Sequence, residues 1–285
     1  MPDADPLVTL PDTDRQYHID LAPGEIADYI LLPGDPDRAE RIADMLDDVE
    51  VHRRHREFNS VTGIHKGLRI SVVATGIGTD NVEIVIAEIL AITQSKPTFI
   101  RIGSCGTLRE DIGLGELIVT TGAVRLETTT KYYVDEGYPA VADYTAVAAL
   151  LEAAHRTGLP AHTGLTATAP GFYGPQGRPI PQLPIRYPDL AEQMARQGVV
   201  NFEMEASAVL TLAALAGCLA GVVCTVFAQR TAGDFVTGDQ KARAEAGLID
   251  TGLEALHVLV EMDAQQARSG EKHWRPAHWA SDLAT

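Results

Sequence analysis

Cysteine is nearly missing from this chain, and what there is makes no recognisable pattern. Cys105, Cys218 and Cys224 stand in apolar segments with no CxxC spacing. That excludes a zinc ribbon and offers no disulfide framework, so they read as buried thiols of a reducing compartment. Long apolar runs are missing too, and no stretch could span a bilayer. The first twenty residues carry acids and no apolar core, so no signal peptide is expected. Basic charge is in short supply: the formal net charge is -16 and the pI about 4.9. Such a balance speaks against nucleic acid or an anionic membrane as partner. Lysine is scarcer than arginine, which fits a saline habitat and equally fits the base composition of a genome. There is no internal repeat, no low-complexity tract and no linker. A chain of 285 residues can bury a large core. The expectation is therefore a soluble cytoplasmic protein with one domain over residues 17–268. It would lie between an irregular Asp/Pro-rich lead-in, 1–16, and a polar tail, 269–285.

Apolar runs alternate with amphipathic stretches throughout. Strands are predicted at 30–32, 68–74, 98–102, 117–126, 163–168, 199–200 and 220–227, with helices between several of them and a long closing helix over 241–267. The alternation predicts an α/β fold. A short alternating stretch, Gln16 to Leu21, reads as an edge strand.

The segment Asn201-Phe202-Glu203-Met204-Glu205-Ala206-Ser207 places two carboxylates where a strand meets a buried helix. Acids between apolar runs are costly unless hydrogen-bonded. The plain reading is that Glu205 caps its own helix. In extended backbone, however, residues i and i+2 point the same way, so Glu203 and Glu205 can face one cavity. Two acids flanking the thioether of Met204 suit a sugar, whose hydroxyls donate to carboxylates while its carbon face rests on sulfur.

Two further segments suit an anion. Pro33-Gly34-Asp35-Pro36-Asp37-Arg38 ends a strand in a glycine turn, a helix start and an arginine one turn in, a ready anion site. Arg101-Ile102-Gly103-Ser104-Cys105-Gly106 sets an arginine near the carboxyl end of a strand, where ligands bind in open α/β sheets. An arginine in such apolar sequence needs a negative partner, either a phosphate or an internal Glu or Asp. His52 to Phe58 is a basic cluster in an acidic chain, and a solvated charge run is its default reading. Ala169 to Tyr187 is a long stretch without periodicity, and such loops tend to be functional. Its Phe172, Gln176 and Arg178 suit a flat heterocycle.

Taken together, Pro-Gly-Asp-Pro-Asp-Arg (33–38), His-Arg-Glu-Phe (55–58), Thr-Gly-Ile-Gly (75–78), Arg-Ile-Gly-Ser-Cys-Gly (101–106) and Glu-Met-Glu (203–205) resemble the nucleoside phosphorylases of the hexameric bacterial type. The order and spacing match over Tyr17 to Leu259, most closely to the branch that cleaves uridine. The resemblance implies a three-layer α/β/α sandwich with a central mixed β-sheet, and reversible phosphorolysis of a nucleoside. It implies that Gly34, Arg38, Arg56, Arg101 and Ser104 hold phosphate, and that His18, Glu203, Met204 and Glu205 hold ribose. Gly106, Phe172, Gln176 and Arg178 would take the base, with Glu205, Arg178 and Arg101 central to catalysis. His18 and Arg56 would reach in from a neighbouring subunit of a homo-hexamer, a trimer of dimers. No organic cofactor is implied, since phosphate is a co-substrate. A monovalent cation has a place near Glu57 and Ile77, although Asn81 stands where those enzymes commonly have a serine. Base choice has signs on both sides. Arg230, with no acid nearby in Phe227-Ala228-Gln229-Arg230-Thr231, resembles the uridine enzymes. Ser104-Cys105-Gly106 looks more like the purine enzymes, the alternative reading.

Overall fold

Among the residues described in the computed structural model, 9–10 and 13–282, the chain forms eleven strands and seven α-helices. In order these are β1 (Tyr29–Pro33), α1 (Pro36–Ala43), β2 (Asp47–His55), β3 (Phe58–His65), β4 (Leu68–Ala74), α2 (Thr79–Ile92), β5 (Thr98–Thr107), β6 (Leu117–Arg125) and β7 (Ala140–Val141). There follow α3 (Tyr144–Arg156), β8 (Ala161–Thr168), α4 (Leu190–Arg196), β9 (Val199–Glu203), α5 (Ala206–Ala216), β10 (Ala220–Gln229), β11 (Asp234–Phe235), α6 (Gly238–Ser269) and α7 (Ala277–Asp282). Asp35 caps α1 by accepting from Asp37 N at 3.0 Å. No helix among the described residues is long and apolar enough to cross a membrane.

All the strands join one mixed sheet, ordered β11-β10-β6-β8-β9-β5-β1-β4-β3-β2, with β7 on β6. An additional pairing of β10 with β5 closes β5-β10-β6-β8-β9 into a ring. Every residue of β10 is buried, as expected of a strand paired on both edges and covered on both faces. Val85, Ile86 and Ile89 of α2 and Val209 and Leu212 of α5 belong to one core cluster. Ile42 of α1, Leu150 of α3 and Leu248 and Leu256 of α6 belong to a second. The helices thus cover the sheet from both sides, giving the three layers expected.

Two stretches differ from the sequence reading, and a third, solvated as expected, goes beyond it. Gln16 to Leu21 is a turn, not an edge strand: its donors His18 N and Ile19 N go to the carboxylate of Glu88 on α2, and Asp20 takes a positive φ of 52°. The basic cluster lies in a regular hairpin, β2 with β3, turning at Arg56 (φ 53°). The segment after residue 269 is more than a polar tail. Trp274 is 2% exposed, its Nε1 donates to Gln265 Oε1 at 2.9 Å, and Tyr144 donates to its carbonyl at 3.0 Å. Two tryptophan rings, Trp274 and Trp279, meet edge to face at 4.5 Å, and such packing supplies apolar area that a solvated tail would lack. The expected lead-in and the chain end fall partly outside the described residues.

Candidate active site

β5 changes partners along one edge. Thr98 to Ile102 pair with β1, and Gly106 and Thr107 pair with β9. Between them, Gly103, Ser104 and Cys105 have no ladder partner on that side. The carboxyl ends of β1 and β9 both reach this gap, and a cavity of about 710 Å³ opens there. It is a switch point of the kind that forms ligand sites in α/β sheets. Gly34, Arg38, Arg101 and Ser104 line it together with Glu203, Met204 and Glu205. So do Gly106, Phe172, Gln176 and Arg178, and Glu57, Ile77 and Asn81 stand at its wall.

Close backbone approach shapes the cradle. A Cβ on Gly103 would stand 2.8 Å from Arg101 Nη2 and 3.0 Å from Cys224 Sγ, and one on Gly34 would meet Gly76 O at 3.2 Å. Larger residues there would displace the guanidinium or the turn. Burial raises the Cys105 thiol well above its ordinary value, with Cys224 and Glu203 adding to it. Cys105 and Cys224 are buried and Cys218 half-buried, all unpaired, matching the sequence reading.

Arg101 is 3% exposed and resolves the sequence-level choice toward internal carboxylates. Its Nε donates to Glu203 Oε2 at 3.2 Å and its Nη2 to Glu205 Oε2. Its Nη1, buried beside the Gly34 turn, has no hydrogen-bond partner in the protein. Glu203 is nearly saturated. Besides Arg101 it accepts from Thr168 Oγ1 at 2.6 Å and from the amides of Glu205 and Ala206, each at 2.8 Å. A carboxylate has about four lone-pair positions, so Glu203 has little left for a ribose hydroxyl, and its part is structural: it caps α5. Glu205, the expected cap, makes no cap bond. It accepts from Gly78 N at 2.7 Å and from Arg101, which leaves it acceptor capacity. Burial raises the Glu205 pKa, Arg101 opposes the rise, and Glu203 adds to it. Burial works to lower Arg101, but Glu205 and Glu203 together hold it above its ordinary value. One arginine between two acids stays charged, and the acids share it.

Farther along the cavity, Arg178 lies over the Phe172 ring at 4.2 Å, and its Nε is buried without a partner. Burial lowers the Arg178 pKa. Arg230 extends this end: its Nη2 donates to Gln176 O at 2.6 Å, and it packs over Phe202 at 5.2 Å. Burial, then repulsion by Arg178, pushes Arg230 down to about 10. No carboxylate opposes either shift, so this end favours an anion.

Two expected residues lie elsewhere. His18 pairs through Nδ1 with Glu88 at 2.6 Å, and Arg56 donates to Tyr17 Oη at 3.2 Å and covers its ring at 5.0 Å. Neither lines the cavity of its own subunit. The place implied for a cation fits poorly. Asn81 Nδ2, a donor, points at Ile77 O at 3.4 Å, so the carbonyl that would ligate an ion faces an N–H. No group of three His, Cys, Asp or Glu converges among the described residues. Phe202, Phe227, Phe235 and Lys241 line the cavity without having been singled out. For the three phenylalanines the one available signal was their place near a strand's carboxyl end; Lys241, in the first turn of α6, offered none.

Comparisons with known proteins identify the family. Residues 28–253 match the Phosphorylase superfamily. A uridine phosphorylase of Thermococcus kodakarensis is 43% identical over 270 residues, covering 93% of this chain and 95% of that protein. A guanosine phosphorylase of Halorubrum lacusprofundi is 33% identical over 227 residues, covering 80% of this chain and 87% of the relative. The crystal structure of a Trypanosoma brucei nucleoside phosphorylase, described as showing uridine phosphorylase activity, superposes with a TM-score of 0.80 at 27% identity. It covers 88% of this chain and 99% of that one.

Proposed function

The chain belongs to the phosphorylase superfamily, and from that premise we propose that it catalyses the reversible phosphorolysis of uridine to uracil and ribose 1-phosphate. The observation that carries this reading is one cavity holding the unspent Nη1 of Arg101, the half-used carboxylate of Glu205, and the Phe172-Gln176-Arg178 end. Phosphate sits against Gly34, Arg38, Arg101 and Ser104. Glu205 and Met204 hold the ribose, with Glu203 fixing the turn beneath them. Phe172 stacks on the nucleoside, and Gln176 and Arg178 read the uracil edge.

The chemistry follows from charge. Phosphate attacks C1′ as the bond to uracil N1 stretches, and the ribose acquires oxocarbenium character. Positioning the nucleophile in line supplies on the order of 7–11 kcal/mol in ideal cases. Glu205 orients the sugar and favours its positive charge. The leaving uracil becomes an anion, and Arg178, with Arg230 behind it, stabilises charge that is largest in the transition state. No step needs a resident metal or organic cofactor. His18 and Arg56 serve a neighbour's cavity in a homo-oligomer, a hexamer by resemblance. The role we assign to it is nucleoside salvage in the cytoplasm.

The test is steady-state cleavage of uridine and inosine with phosphate varied. Uridine cleavage that needs phosphate and yields ribose 1-phosphate is expected. A preference for inosine would support the purine reading suggested by Ser104-Cys105-Gly106 and the guanosine-cleaving relative. Cleavage without phosphate would indicate a nucleosidase.

A further inference from the structure

Glu245 of α6 lies in none of the motifs above, yet it is only 3% exposed. Arg38 Nε donates to its Oε1 at 3.0 Å, and Arg38 Nη2 stands 3.0 Å from the same oxygen. Arg38 Nη1 donates to Ile102 O at 3.1 Å. From the solvent side, Arg41 Nη1 pairs with Glu245 Oε2. The Arg38 side chain is 4% exposed, so its guanidinium is clamped along one edge by α6 and at one end by β5. A guanidinium has five N–H donors. The Nε and Nη1 contacts are hydrogen bonds and the Nη2 contact is an ion pair, which leaves N–H groups on both terminal nitrogens for the cavity that Arg38 lines.

We propose that Glu245 is the positioning residue for Arg38, aiming its remaining donors at the phosphate. The proposal rests on the phosphate reading of Arg38. Behind Glu245 lies a groove of about 470 Å³ between α1 and α6, lined by Arg41, Met45, Lys241 and Ile249 among others. A released guanidinium would swing toward that groove and its water, away from Arg101, whose like charge repels it. A carboxylate near an anion site carries a Coulomb penalty of its own. Arg41 offsets it, so the trio Arg38–Glu245–Arg41 keeps one net positive charge while fixing its direction. Geometry then outweighs charge.

The test is titration of inorganic phosphate into the enzyme, with KM for uridine measured in parallel. Glu245→Ala should weaken phosphate about tenfold or more, the scale of losing a charge-assisted contact, while uridine KM stays within about twofold. Glu245→Gln keeps one oxygen for Arg38 and should fall between wild type and Glu245→Ala. Arg41→Ala, at a half-exposed position that the fold tolerates, should weaken phosphate about two- to fivefold, the worth of a partly solvated pair. Unchanged or tighter phosphate binding in these variants overturns the proposal, as does a parallel rise in phosphate Kd and uridine KM. Arg38→Ala separates the two layers. If it leaves phosphate Kd unchanged, the phosphate reading of Arg38 fails, and this inference with it. If it weakens phosphate and Glu245→Ala does not, only the inference fails.

Discussion

Glu205 occupies the N-cap position of α5, yet it gives its carboxylate to Gly78 N and Arg101 and leaves the capping to Glu203. A residue released from a local structural duty and held by a residue far away in sequence is available for ligand. Glu205→Gln should keep the fold, because the Gly78 contact survives on the amide oxygen, and lower kcat by roughly 10²–10³, the cost of one electrostatic group. Near-normal kcat in a folded variant would remove Glu205 from the mechanism. The same residue sets an expectation for pH. Its pKa is raised by burial, so the acid limb of the wild-type kcat/KM profile should lie above the ordinary carboxylate range and be absent from Glu205→Gln. For stability the sign is opposite. A raised folded-state pKa contributes stability that is fully present below the unfolded value and lost as pH rises through the folded one. Glu205 thus costs the fold something at the pH where it works, a common feature of functional sites.

At the scale of elements, the loop from Ala169 to Asp189 is where the proposed mechanism puts base recognition. One 3-10 turn, Gly174–Gln176, and a left-handed Gly177 bring the Gln176 and Arg178 side chains to one cavity. Arg178→Ala should lower kcat/KM for uridine by about 10²-fold or more, the cost of a charge-assisted bond in a dry site, and leave phosphate KM nearly unchanged. Steady-state kinetics with both substrates varied checks this; a loss of phosphate affinity with uridine preference intact would reassign the loop. Elements of this kind differ in how far the sequence discloses them. The strand ending at Pro33 and the first half of β5 were legible because apolar runs and glycine turns are local signals. The Gln16–Leu21 turn was not, since it depends on the Glu88 carboxylate some 70 residues away. The β2–β3 hairpin was masked by its charges, which face solvent on one side of an edge ribbon. Glu203 and Glu205 were legible as a site, but their division of labour was not, because it is decided by Thr168, Gly78 and Arg101.

For the whole molecule, the proposed sharing of His18 and Arg56 between subunits makes assembly a direct test of the mechanism. Ile77 is 72% and Tyr132 90% exposed, on neighbouring segments joined by the Thr79–Thr129 hydroxyl bond of 2.9 Å, and the proposed neighbour would have this apolar surface to cover. Arg56→Ala and Glu205→Gln subunits, each inactive alone, should recover partial activity when dissociated, mixed and reassembled, since some hybrid sites would draw both residues from intact copies. Absence of recovery, or full activity of a monomer by light scattering, rules out shared sites. The ring of strands described above has a separate consequence, for synthesis. β5 emerges from the ribosome early, but the strand that fits between it and β6 is β10, more than a hundred residues later. Until then both edges stand open on the nascent chain, where unpaired strand edges invite misassembly. The cavity takes Phe227 and Ala228 from β10, so a growing polypeptide has no complete site to offer until that strand has been made.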